Sequence, residues 1–151
     1  PFDAGAAGQF DVTLTAMFND TEVTRVPSTD VLNAINPTIL LFGRFNRLTY
    51  EEGQPESKYA AAVNWKLGAF GATLRATRYG EVLSPEPVAA IPAGRGPLDV
   101  PLTPKTLVDL EARWNVTDAI RIALGAENVF DEYPDANPAS VNVNGTQSFS
   151  N

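Results

Sequence analysis

The stretch that decides the fold runs from Leu107 to Val116 and reads LVDLEARWNV. From Val108 onward, apolar and polar residues alternate with a period of two. The apolar residues therefore share one face, and the charged residues Asp109, Glu111 and Arg113 share the other. This alternation predicts a β-strand with one apolar face and one polar face.

Four more runs show the same alternation, and they are Gln9–Phe18, Lys58–Leu67, Phe70–Thr77 and Ile120–Glu127. No residue on the five apolar faces is charged, whereas the polar faces carry Asp, Glu, Lys and Arg side chains. Tight turns are expected at Lys66–Ala69 and Asn115–Ala119, where consecutive runs lie only a few residues apart. The pattern predicts an all-β chain with an antiparallel sheet.

The remaining segments give weaker signals. A sixth strand is expected at Phe45–Tyr50, and a short helix at 30–35, which Ser28 or Thr29 could cap and Pro37 would stop. The segment from Gly80 to Lys105 contains half of the chain's 12 prolines and is predicted to be a loop.

Composition excludes several classes of function. The 151 residues include no histidine and no cysteine, which excludes His-dependent nucleophile systems, zinc fingers and disulfide frameworks. The net charge of −7 disfavours a nucleic-acid partner, because backbone binding requires a basic surface. We therefore expect neither an enzyme nor a cofactor or metal site. The sequence also lacks the run of about 18 apolar residues that a transmembrane helix needs.

Three features favour a transmembrane β-barrel over a soluble β-sandwich, which stays open as an alternative. Several runs are about ten residues long, near the roughly 9–11 residues that a tilted membrane strand needs. Aromatic residues such as Trp65, Phe70 and Trp114 stand at strand ends, as in interfacial aromatic girdles. Short turns alternate with long loops. Because single-chain outer-membrane barrels begin at about eight strands, the chain is predicted to be an incomplete barrel segment.

The C-terminal half carries a more specific pattern. Leu107–Thr117 is followed by Gly125–Pro134, which contains the run Asn128-Val129-Phe130-Asp131. Together with the upstream runs Gln54–Lys58, Gly68–Phe70 and Arg75–Val82, this pattern resembles the C-terminal part of the barrel in TonB-dependent outer-membrane receptors. The resemblance covers nearly the whole chain.

The resemblance implies that residues 1–151 are about six strands of a barrel of about 22 strands, without the plug domain and the last strand. The implied location is the outer membrane of a Gram-negative bacterium. The implied function is uptake of a scarce solute such as a ferric siderophore, with outer-membrane lipid, the protein's own plug and the TonB complex as partners. The alternatives are a passive porin-like barrel fragment and a soluble β-sandwich binding module.

The resemblance also implies an orientation. The turns at 66–69 and 115–119 would be periplasmic, together with the segment 28–42. The loops at 80–105 and 131–151, and the short loop at 51–57, would be extracellular.

Candidate site residues follow from the polar face. Arg75, Asp109, Glu111, Arg113 and Arg121 are expected to face the lumen, where they could contact an anionic ligand or the plug, or pair with neighbouring charges. Asn128, Val129, Phe130 and Asp131 are expected to have a structural role at a strand end. An acid–base pair at Asp109 and Glu111, and a calcium site at Asp131, Glu132 and Asp135, are weaker alternatives.

Overall fold

The computed structural model describes residues 1–26, 30–35, 42–87 and 93–136. The chain forms two compact units. The first, the sheet unit, comprises Pro1–Phe18, Ser57–Gly80 and Pro104–Tyr133. The second, the loop unit, comprises Asn19–Glu56, Glu81–Thr103 and Pro134–Asn151.

The elements of secondary structure are numbered in chain order. The strands are β1 (Phe2–Asp3), β2 (Gln9–Phe18), β3 (Ser57–Leu67), β4 (Phe70–Tyr79), β5 (Val82–Ser84), β6 (Val100–Leu102), β7 (Lys105–Asn115) and β8 (Arg121–Ala126). The α-helices are α1 (Asp30–Ile35) and α2 (Arg44–Glu51), and a 3₁₀ turn covers Gly5–Ala7.

The sheet unit is an open antiparallel sheet of six strands in the order β1-β2-β3-β4-β7-β8. All five strands predicted from alternation are confirmed, as are the antiparallel sheet and the short helix at 30–35. The sixth strand of the sheet is not the predicted one. It is β1, in which Phe2 pairs with Phe10 and Asp3 with Gln9.

The register of the sheet aligns like faces across the strands. One row runs from Val12 through Val63 and Leu74 to Leu110, and is apolar throughout. The next row on the opposite face includes Thr73, which pairs with Glu111. Because directly paired residues point to the same side, the alternation of each strand combines into one apolar face and one polar face.

The two tight turns are confirmed. β3 and β4 are joined by Gly68 and Ala69 alone, and Gly68 has a φ of +54°, a conformation that glycine adopts at no steric cost. Between β7 and β8, the backbone N–H of Val116 donates to the carbonyl oxygen of Ile120 at 2.9 Å.

The prediction of a strand at Phe45–Tyr50 is wrong, because these residues lie in α2. The Thr49 hydroxyl donates to the Phe45 carbonyl one turn earlier at 2.8 Å. Arg44 and Leu48, one turn apart, are both buried. Aromatic and β-branched residues favoured a strand here, but burial of this helix face outweighs that local preference.

The loop prediction for 80–105 is partly wrong, because β5 and β6 form a two-stranded antiparallel ladder within it. Pro101 pairs with Leu83. Proline is tolerated at this position because each strand of a two-stranded ladder is an edge strand. Helix α2 packs against β5. Among the described residues, every buried hydrophobic side chain belongs to this unit, namely Leu48, Leu83 and Leu102.

The expected placement of 28–42 on the periplasmic side required the strand at 45–50 to cross the sheet. The described residues of this connection contain no such crossing: the chain leaves the sheet at Phe18 and returns at Ser57, and these two residues pair with each other. The connection therefore starts and ends at one end of the sheet, as does the 80–105 connection between β4 and β7. Residues 27–29 and 36–41 of this connection lie outside the described part.

Candidate functional site

The polar face of the sheet brings the predicted site residues into successive rows. Arg75 lies directly opposite Asp109, Glu111 lies opposite Thr73, and Arg113 lies opposite Gly71. Arg121 pairs with Asn115 at the end of the sheet that carries the short turns.

Arg113 is the centre of a hydrogen-bonded network. Its Nη2 donates to the Thr73 hydroxyl at 2.8 Å, and that hydroxyl donates to the Asn64 side-chain oxygen at 2.8 Å. Its Nε lies 3.2 Å from a carboxylate oxygen of Glu111. A Cβ added to Gly71 would lie 3.6 Å from Arg113 Nε, so glycine leaves room for the guanidinium group over β4. These contacts fix Arg113 across three strands.

The other predicted charges differ in their partners. Asp109 accepts a hydrogen bond from the Asn128 backbone N–H at 3.0 Å, which ties β7 to the segment after β8. Arg121 Nε donates to the Asn115 side-chain oxygen at 2.8 Å. Arg75 faces Asp109 in the register, yet within the described residues it forms no ion pair or hydrogen bond with another side chain. Of the three predicted site arginines, only Arg113 is thus paired with an acidic side chain among the described residues.

The segment Asn128–Asp131 forms a turn held by its first residue. Asn128 Nδ2 donates to the Glu132 carbonyl at 2.9 Å, and the Glu132 backbone N–H donates to Asn128 Oδ1 at 3.1 Å. Asn128 and Asp131 have φ angles of 49° and 56°, a left-handed conformation that Asn and Asp tolerate better than other non-glycine residues. Phe130 is exposed.

Two hollows lie against the polar face. The first, of about 400 Å³, is at the short-turn end and is lined by Lys66, Arg113 and Arg121, among others. The second, of about 570 Å³, is lined by Arg75 and by the acidic residues Asp109, Glu111 and Glu127, among others. Both of these hollows therefore lie on the polar side of the sheet.

A separate cluster of buried charges lies in the loop unit. The side chains of Arg44 and Asp99 are 6% and 2% exposed and form an ion pair. Arg44 also donates from Nε to the Gly94 carbonyl at 2.8 Å, and from Nη1 to the Glu86 carbonyl at 3.2 Å. Burial raises the pKa of Asp99, but hydrogen bonds from Arg44 and from the backbone N–H groups of Gly96 and Glu86 outweigh it, so the pKa lies below its ordinary value.

No family model, no curated protein and no solved structure matches this chain. No helix in the described part of the chain is long and apolar enough to cross a bilayer. Among the same residues, no three acidic side chains are grouped as metal ligands would be. Asp135, one of the three acidic residues considered for calcium, instead accepts hydrogen bonds from the Thr103 backbone N–H at 2.5 Å and hydroxyl at 2.6 Å.

Sequence reasoning placed Lys66 and Thr73 on the polar face but did not name them, or Asn64, as site residues, and it missed the ion pair of Arg44 with Asp99. The first three could have been found by aligning the strands from the tight turn, because Leu67 and Phe70 fix the register of β3 against β4. Arg44 and Asp99 are 55 residues apart and carry no local signal.

Proposed function

We propose that this chain is a segment of the transmembrane β-barrel of a TonB-dependent outer-membrane receptor. In this proposal the apolar face contacts lipid and the polar face lines the lumen. The loop unit would be extracellular and would take part in capturing the ligand. The transported solute would be a scarce compound such as a ferric siderophore, and the energy would come from the TonB complex acting on the plug.

The observation that carries the proposal is the exposed apolar face of the sheet. Leu14 is 76% exposed, Leu124 is 78% and Leu74, on a central strand, is 48%. A soluble sheet of this size buries such a face against a second layer. The buried hydrophobic side chains among the described residues all lie in the loop unit, so the apolar face of the sheet is left for another apolar phase.

The distribution of aromatic residues on that face supports a bilayer. Phe70 and Trp114 stack at the short-turn end with ring centroids 6.0 Å apart. Phe18 and Tyr59 meet edge to face at the other end, at 5.7 Å. The two bands are separated by roughly 30 Å of strand, or about 20–25 Å along the membrane normal at a tilt of about 40°. Outer-membrane barrels have an apolar band about 25 Å tall between two aromatic girdles.

The position of the hollows argues against a small soluble barrel. Soluble barrels that hold a ligand enclose an apolar interior, so their hollows lie on the apolar side of the sheet. Here both hollows are lined by charged residues of the polar side, with Arg113 contributing to both, and the first also touches Phe10, Trp65 and Phe70 at the end of the sheet. A polar interior and an apolar exterior are typical of transmembrane barrels.

A passive porin-like barrel shares all of these features and is the second candidate. It would lack a plug domain, so the sequence of the complete protein separates the two. A soluble β-sandwich module is the third, and the following experiment tests it.

The chain is expected to need an amphiphile to remain monomeric. Without detergent or lipid, its apolar face and its open edges should drive association; these edges are β8 and, beyond the two residues that pair with β1, most of β2. Size-exclusion chromatography with light scattering should show large aggregates in buffer and a monodisperse species in micelles. A monodisperse monomer in buffer, with one sharp thermal transition, would contradict the membrane proposal and favour the sandwich.

The proposed orientation predicts asymmetric labelling of whole cells. In the intact protein, a cysteine introduced at Ala93, an exposed residue of the 80–105 connection, should react with a membrane-impermeant maleimide. A cysteine at Asp118, in the exposed turn between β7 and β8, should react only after the outer membrane is permeabilised. These residues include no native cysteine that would add background. The opposite labelling pattern would invert the topology.

A further inference from the structure

The hollow at the short-turn end of the sheet has an excess of positive charge. Three of its lining residues are basic, namely Lys66, Arg113 and Arg121, and Asp11 is its only acidic lining residue. Gly71 lies in the register between Lys66 and Arg113, and its lack of a side chain leaves the space over β4 that the Arg113 guanidinium group occupies.

The basic side chains are held differently. Arg113 forms an ion pair with Glu111 and donates a hydrogen bond to Thr73. Arg121 is oriented by the bond from its Nε to Asn115 Oδ1, which leaves its terminal N–H groups and the Asn115 amide N–H groups as donors. In the described part of the chain, Lys66 forms no ion pair or hydrogen bond with another side chain. Two cations of the hollow, Lys66 and Arg121, therefore form no ion pair with an acidic side chain of the described residues.

The second hollow on the same face has the opposite balance. There Arg75 and Arg113 are outnumbered by Asp109, Glu111 and Glu127. The charge balance thus changes sign between the two hollows, and of the two the one at the short-turn end attracts an anion.

We infer that the hollow between Lys66 and Arg121 binds an oxyanion group, either a phosphate or a carboxylate. A guanidinium group offers paired donors that match such groups, and a lysine ammonium adds a flexible point charge. The Asn115 amide provides a neutral donor beside them. The site is built within the sheet unit and does not depend on the membrane proposal.

Titration calorimetry on the full chain tests this inference, with inorganic phosphate and citrate as separate probes at low ionic strength. The protein is kept in whichever medium, detergent or buffer, gives a folded monomer. We expect saturable binding of at least one probe, and the stronger of the two identifies the group. Arg121→Gln and Lys66→Gln should each weaken that binding about tenfold, the scale of one charge-assisted hydrogen bond.

Lys58→Gln is the matched control. Lys58 lies on the same strand and the same face as Lys66, but at the other end, where its ammonium group sits 4.8 Å from the centre of the Tyr79 ring. This substitution removes the same charge and should leave the affinity unchanged. An equal loss in Lys58→Gln, or no saturable binding of either probe to the unmodified chain, would overturn the inference. Both outcomes are independent of whether the sheet faces lipid.

Discussion

Arg44→Ala is expected to destabilise the loop unit by about 3–5 kcal/mol, the usual cost of removing one partner from a buried ion pair. The Asp99 carboxylate, 2% exposed, would lose its only cationic partner among the described residues. The carbonyl groups of Gly94 and Glu86 would lose their Arg44 donors as well. The measurement is hydrogen exchange at the backbone amides of Glu86 and Gly96, both of which donate to Asp99.

Arg95→Ala is the control for this substitution. Arg95 pairs with Glu52 and Glu81 in the same unit, but its side chain is 52% exposed. Ion pairs of this kind contribute about 0–1 kcal/mol, because solvent screens them. Equal acceleration of exchange in the two variants would mean that the buried pair does not hold the loop unit together.

The same pair gives a pH dependence with a definite sign. The pKa of Asp99 in the folded protein lies below its ordinary value. The stabilisation that the ionised Asp99 carboxylate provides is therefore complete above its unfolded pKa of about 3.9. It is lost as the pH falls through the lower pKa of the folded protein. Asp99→Asn should remove this acid dependence from the exchange rates of the Gly96 amide, while the unmodified chain retains it.

Leu14→Arg is expected to cost about 2–4 kcal/mol in the intact protein folded into a bilayer, the range for arginine near the midplane on a lipid-facing strand. Leu14 lies midway along β2, in a row with Ala61, Ala76 and Val108, between the two aromatic bands. The measurement is reversible unfolding in denaturant with the protein in lipid vesicles.

Thr13→Arg is the matched control, one residue away on the polar face. Thr13 is exposed and pairs with Ala62, next to Arg75. The new side chain would point away from the apolar face, so a loss below about 1 kcal/mol is expected. Similar losses at positions 13 and 14 would mean that the apolar face is not the one in lipid.

The strands of the sheet could be predicted from the sequence because alternation is a local property. Each run, such as Gln9–Phe18 or Phe70–Thr77, carries its own period of two, and each tight turn fixes the register of the two strands it joins. The alignment of Leu74 with Leu110 on one face and of Thr73 with Glu111 on the other then follows without knowledge of any distant contact.

The loop unit shows where local signals fail. Residues 45–50 carry strand-forming side chains, yet they fold as a helix in which Leu48 and Arg44 are buried together. Pro101 suggested a loop, but it lies in a two-stranded ladder that needs no hydrogen bond from its nitrogen. In both cases packing of segments distant in sequence decides the outcome, and composition alone does not reveal it.

For the charged residues of the candidate site, too, the sequence predicts one property and the tertiary structure another. The sequence by itself determined that Arg75, Arg113 and Arg121 share a polar face with Asp109 and Glu111, because the faces follow from alternation. Only the tertiary structure decided that Arg113 also donates to Thr73 on the neighbouring strand, that Arg121 binds the Asn115 amide, and that Lys66 lines a hollow with no ion pair to a described residue. Alternation fixes the side of the sheet, whereas pairing depends on how strand register and side-chain length place charged atoms within about 4 Å of each other.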